Sequence, residues 1–147
     1  MFQGRARILV LALIAHFLSP AAARVADAMV VEEVIMNNKP DGGQVMILSK
    51  NPIKAGMVLF KVMNRSANLV HEFLVLRTDL DPGAFPMKDQ GNKVDETKIQ
   101  GIKELGDLEP SKSGQMKMTL KPGTYVLFCN EPGHFKAGMV TKLVVAP

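Results

Sequence analysis

The chain has 147 residues, 47% of them apolar, and a formal charge of +4, enough for one domain with a sizeable core. Its charge is too weak and too interspersed with acidic residues for a nucleic-acid-binding surface.

The first element is an export signal. Residues 1–28, "MFQGRARILVLALIAHFLSPAAARVADA", place Arg5 and Arg7 ahead of an apolar run from Ile8 to Leu18, then a Ser-Pro break and small residues, the three parts of a secretory signal. The run is shorter than the roughly 20 apolar residues that span a bilayer, which argues against an uncleaved anchor. Cleavage fits after Ala23 or after Ala28, and the sequence does not choose. The domain that follows, residues 29–147, is expected to be a periplasmic or otherwise exported monomer with no stable membrane insertion. Removing the signal takes away His16 and leaves His71, His134 and a single cysteine, Cys129. One unpaired cysteine is unusual in an oxidising compartment. On its own it reads as an inert buried thiol.

Short apolar runs punctuated by turn residues follow. Strands are expected at 29–36, 44–48, 57–64, 70–76, 114–120, 124–129 and 139–145. In "MVLFKVMN" Val58, Phe60 and Val62 face one way and Lys61 the other; in "GQMKMTL" Met116, Met118 and Leu120 alternate with Gln115, Lys117 and Thr119. Turns read at "NKPDGG" (38–43), "NPIKAG" (51–56) and "KPG" (121–123). Seven strands in a chain of this length suggest an all-β antiparallel sandwich or barrel. Methionines such as Met57, Met63, Met116 and Met118 fall on strand patterns expected in a core.

Residues 79–113 break the rhythm. They are polar and turn-rich, with a short helix expected around Val94 to Leu105, where Ile99, Ile102 and Leu105 recur every third residue. Such an insertion is usually an elaborated loop with packing of its own, expected here to wrap one side of the sandwich. Nothing in it carries recognisable chemistry.

The chemistry lies in "CNEPGHFKAGM", residues 129–139. Cys129 ends one strand, His134 follows a turn, and Met139 opens the last strand, so the loop can fold a thiolate, an imidazole and a thioether around one point. The remaining histidine, His71, begins the strand "HEFLVL". Singly, His134 reads as a surface histidine, Met139 as core and His71 as a sheet-edge histidine. Jointly, one thiolate, two imidazoles and a thioether are the donor set of a type 1 copper centre, suited to both Cu(I) and Cu(II). Zinc sites favour more thiolates or a closed set without methionine. A Cys129–His134 nucleophilic pair would leave Met139 unused.

Through "AGMVLFKVMN" leading to "LVHEF", and through "LKPGTYVLFCNEPGHFKAGMV", the chain resembles the cupredoxins, the small blue copper proteins, over residues 44–76 and 114–145. The resemblance implies a Greek-key β-sandwich, with the long partly helical loop inserted, and one copper at its end held by His71, Cys129, His134 and Met139. The Cys-x4-His-x4-Met spacing and Glu72, where many of these proteins have Asn after the first histidine, set this chain apart. The implied function is one-electron transfer between redox partners that dock near His134 and Phe135, on an apolar patch with Pro132, Ala137 and Gly138. The alternative is a periplasmic copper-binding protein for storage or delivery. The chain is expected not to be an enzyme, because multicopper oxidases and copper nitrite reductases need further histidines for their catalytic coppers.

Overall fold

The computed structural model describes residues 28–147. The expected signal segment and both of its candidate cleavage positions fall in residues 1–28, which apart from Ala28 lie outside the described residues. The strands are β1 (Val30–Asn38), β2 (Gln44–Leu48), β3 (Ile53–Lys54), β4 (Gly56–Asn64), β5 (His71–Arg77), β6 (Met87–Lys88), β7 (Lys93–Val94), β8 (Lys103–Leu108), β9 (Ser113–Leu120), β10 (Gly123–Phe128) and β11 (Val140–Ala146). All seven expected strands are present with ends displaced by at most two residues. Two sheets face each other, ordered β2-β1-β4-β9 and β3-β11-β10-β5-β8, and β6 pairs with β7 in a small hairpin.

The expected antiparallel arrangement holds only in part. β1 runs parallel to β4, and β3 runs parallel to β11. β4 cannot reach β1 as a hairpin partner, because β2 and β3 intervene and the chain visits the other sheet before returning; a parallel pair needs such a crossover.

The core between the sheets follows from alternation. Val34 and Met36 of β1 and Val58, Phe60 and Val62 of β4 meet Phe73 and Val75 of β5, Tyr125 and Leu127 of β10, and Leu143 and Val145 of β11. Phe60 and Phe73 touch across the interface with ring centres 5.6 Å apart. Burying a side chain of this size contributes roughly 1.5–3 kcal/mol. Met116 and Met118 pack against this core as expected. Met57 and Met63 do not: they are 42% and 38% exposed, because they share the outward face of β4 with Lys61.

A second cluster lies on the outer face of the five-stranded sheet. Leu74, Leu76, Val126 and Phe128 are covered there by Phe85 and Val94 of the insertion and by Phe135. The insertion does wrap one side of the sandwich, but the helix expected over 94–105 is not formed. Val94 lies in β7, Glu96–Lys98 makes one 3-10 turn, and Lys103–Leu108 is a strand that pairs with β5. Gly101 and Gly106 both take φ of +87°, a conformation glycine adopts freely and a helix interior does not use. The three-residue spacing is still apolar contact: Ile99 and Ile102 lie on the second cluster and Leu105 on the first.

Candidate metal centre

Strand alternation continues past the end of β10. Tyr125, Leu127 and Cys129 point into the sandwich, and Cys129 is fully buried. His71, the first residue of β5, pairs with Leu108 of β8 and is also fully buried. The segment between Cys129 and Met139 coils through successive turns. The N–H of His134 donates to the carbonyl of Glu131 (3.0 Å), that of Ala137 to Gly133 (3.0 Å), and that of Gly138 to Phe135 (3.1 Å). Met139 closes the loop, donating its N–H to the His134 carbonyl at 3.0 Å while its own carbonyl accepts from the N–H of Cys129 at 3.0 Å. Gly138 makes the closure possible. Its φ is +101°, and a Cβ there would stand 3.1 Å from the Gln44 carbonyl oxygen.

The result is a convergence of donors. His71 Nδ1 and His134 Nδ1 are 3.1 Å apart, Cys129 Sγ is 3.5 Å from His134 Nδ1, and the three ligand atoms lie within 4.8 Å of one another. Nitrogens and a sulfur each bound at roughly 2.0–2.3 Å to one ion stand roughly 3–4 Å apart, so the trio fits a common metal. Met139 is fully buried beside them, its backbone tied to both Cys129 and His134. His134 is only half-buried.

Electrostatics agree with a metal pocket. Burial, and then the neighbouring His134, lower the pKa of His71 from 6.5 to about 4. Burial also lowers that of His134, against the pull of Glu131. Burial pushes the Cys129 thiol up to about 11, although backbone N–H groups of Glu131 and Glu72 act the other way. At neutral pH the imidazoles are uncharged and the thiol keeps its proton; a bound metal would displace it. The N–H of Glu72 donates to Cys129 Sγ at 3.3 Å. In this chain, therefore, the residue after the first histidine links the two ligand-bearing segments through its backbone. Its side chain joins Asp107 and Glu131 in a carboxylate cluster, and burial followed by Glu96 and Asp107 raises its pKa to about 7.

Phe135 does not lie on the surface patch expected around His134. Its ring stacks on Phe85 (5.8 Å, 20°) and meets Phe128 edge-on at 5.7 Å, leaving it 9% exposed. Pro132 and Gly138 are exposed and Ala137 is half-buried. Sequence reasoning also missed Asn130, which is fully buried and hydrogen-bonded to the insertion. The signal was a polar residue directly after the apolar run "YVLFC", placed by alternation on the sheet's outer face.

No protein-family model matches the sequence, and no curated protein is similar to it. Solved structures are. Auracyanin A, a "blue" copper protein from Chloroflexus aurantiacus, superposes with a TM-score of 0.56 at 20% identity, covering 81% of this chain and 100% of the other. Auracyanin from Roseiflexus castenholzii gives 0.55 at 20% identity, over 82% and 98%. The chain has the cupredoxin fold. Rusticyanin from Thiobacillus ferrooxidans adds a third example, with a TM-score of 0.55 at 20% identity over 79% of this chain and 77% of that one. Within the cupredoxin fold, the cluster of His71, Cys129 and His134 forms a candidate ligand group.

Proposed function

We propose that this chain is an exported one-electron carrier with a single type 1 copper held by His71, Cys129, His134 and Met139. The observation that carries the reading is the meeting of two imidazole Nδ1 atoms and one thiol in a buried pocket, on a fold shared with auracyanin and rusticyanin. Copper bound there would supply a Cu(I)/Cu(II) couple. The protein's part is to hold the donors still. His71 and Met139 are closed off from solvent, and the closed hydrogen-bonded loop fixes Cys129 relative to His134. The Glu72 N–H donates to Cys129 Sγ and draws charge from the thiolate, which favours the reduced state.

His134 is the donor with an exposed edge, framed by exposed Pro132 and Gly138, and is the place where a redox partner docks. A small contact suits brief encounters. Extracytoplasmic location is supported by the character of residues 1–28. Among the described residues no helix is long and apolar enough to cross a membrane.

Copper storage or delivery is the second reading, and exposed Met29, Met57 and Met63 are the observation that favours it. It fits the centre itself less well, because three of the four proposed ligands have no exposed surface and a delivery site must hand over its ion. Cyclic voltammetry of the copper-loaded chain, followed by mixing with a metal-free acceptor, separates the two. A carrier cycles reversibly and keeps its copper. Loss of the metal to the acceptor within the mixing time would favour delivery.

A further inference from the structure

The alternation that aims Cys129 into the sandwich aims the next side chain the other way, into the insertion. Asn130 is fully buried there. Its Oδ1 accepts the N–H of Val94 at 2.7 Å, and its Nδ2 donates to the Val94 carbonyl at 3.1 Å and to Glu96 Oε1. Three residues later, the N–H of Gly133 donates to the carbonyl of Asn92 at 2.8 Å. The ladder between β10 and β5 ends at Phe128. Beyond it, the ligand loop is held on this side by these bonds to the β6–β7 hairpin and its flank, with Phe135 seated on Phe85 just below.

We propose that Asn130 is a positioning residue of the metal centre, and that the β6–β7 hairpin is the anchor that fixes the ligand loop between Cys129 and His134. The proposal rests on the copper reading above. Asn130 touches no ligand atom; it acts by pinning the backbone immediately after Cys129, on which the direction of the thiolate depends. Its amide spans the N–H and C=O of one residue, as a neighbouring strand would. Burying an amide is costly without partners, and the insertion supplies them. The insertion, which in sequence carries no ligand chemistry, thereby becomes part of the scaffold of the site. Hydrogen-bonded groups behind metal ligands typically change metal affinity by roughly 10–100-fold when removed.

The test compares residues 29–147 of the wild type with Asn130→Ala, Asn130→Asp and Tyr125→Phe. Asn130→Asp keeps the size and the acceptor for Val94 but loses the donors. Tyr125→Phe removes the hydroxyl that bonds the Lys121 backbone and is the control for stability loss elsewhere. Copper affinity by chelator competition and the position of the visible band are read on loaded protein; hydrogen exchange of the Gly133 N–H is read on metal-free protein. Asn130→Ala should weaken copper binding roughly 10–100-fold, move the band and expose Gly133 to exchange. Asn130→Asp, which turns a carboxylate oxygen on the Val94 carbonyl and on Glu96 Oε1 where the amide donated, should do so at least as strongly, and Tyr125→Phe should change none of the three. Wild-type affinity and band in both Asn130 variants, or equal weakening in Tyr125→Phe, would overturn the proposal. If the wild type takes up no copper, the metal reading falls, and unchanged Gly133 exchange in Asn130→Ala would remove the anchor as well.

Discussion

His71 and Glu72 are adjacent, yet the fold moves their titrations in opposite directions, and this gives the metal-free protein an unusual response to acid. His71 is lowered from 6.5 to about 4. Between those values the unfolded chain binds a proton that the folded chain refuses, so stability is lost as pH falls through that window. Glu72 is raised from 4.5 to about 7. Over that range the folded chain holds a proton that the unfolded chain has released, so Glu72 gains stability as pH falls. At about 1.4 kcal/mol per pKa unit, each effect amounts to at most about 3 kcal/mol, a large part of the roughly 5–15 kcal/mol that holds a domain together. In the wild type the two nearly cancel. Glu72→Gln should expose the histidine, making the metal-free chain lose up to about 3 kcal/mol between about pH 6.5 and 4. His134, also lowered by burial, adds in the same sense. His71→Gln should leave Glu72 dominant and give a profile of opposite slope. Urea unfolding midpoints across the range measure both. Parallel profiles for the two variants would refute the reasoning, because they would mean that neither group is desolvated as the fold requires.

Three further outcomes follow from the same geometry. Gly138→Ala places a Cβ 3.1 Å from the Gln44 carbonyl at a φ of +101° and should cost about 1–2 kcal/mol in urea unfolding; an unchanged midpoint would show that the loop has room it is not credited with. Met139→Leu should retain a copper-thiolate band while changing the reduction potential, and complete loss of copper would remove Met139 from its proposed axial place. Because the Cys129 thiol is held up at about 11, copper uptake near neutral pH should release one proton and strengthen about tenfold per pH unit. Calorimetry in buffers of different ionisation enthalpy reads that proton, and its absence would mean that Cys129 is not a ligand.

The sandwich was legible in sequence wherever one strand face meets water. β4 and β9 alternate cleanly, and their core residues Val58, Phe60, Val62 and Leu120 are where the pattern puts them. β5 and β10 carry runs of buried residues instead, because the insertion covers their outer face, and a doubly buried strand shows no alternation. β8 was hidden for a different reason. Its spacing of apolar residues imitates a helix, and only the left-handed glycines at 101 and 106 reveal that the chain turns instead. The parallel pairs depend on the path of the chain between sheets, which no local pattern records. At the site, residue types alone named His71, Cys129 and His134, since the chain has one cysteine and three histidines, of which His16 lies in the expected signal. The burial of Phe135 and the anchoring by Asn130 depend on what the insertion packs against, and no motif encodes that.

The central claim is that His71, Cys129, His134 and Met139 hold one copper as a type 1 centre. The visible and electron paramagnetic resonance spectra of residues 29–147 loaded with Cu(II), recorded beside Cys129→Ser, test it most directly. The account predicts an intense thiolate-to-copper band and a compressed copper hyperfine splitting in the wild type, both abolished in the variant. A colourless complex with ordinary hyperfine splitting, or a band that survives the loss of the thiol, would contradict it.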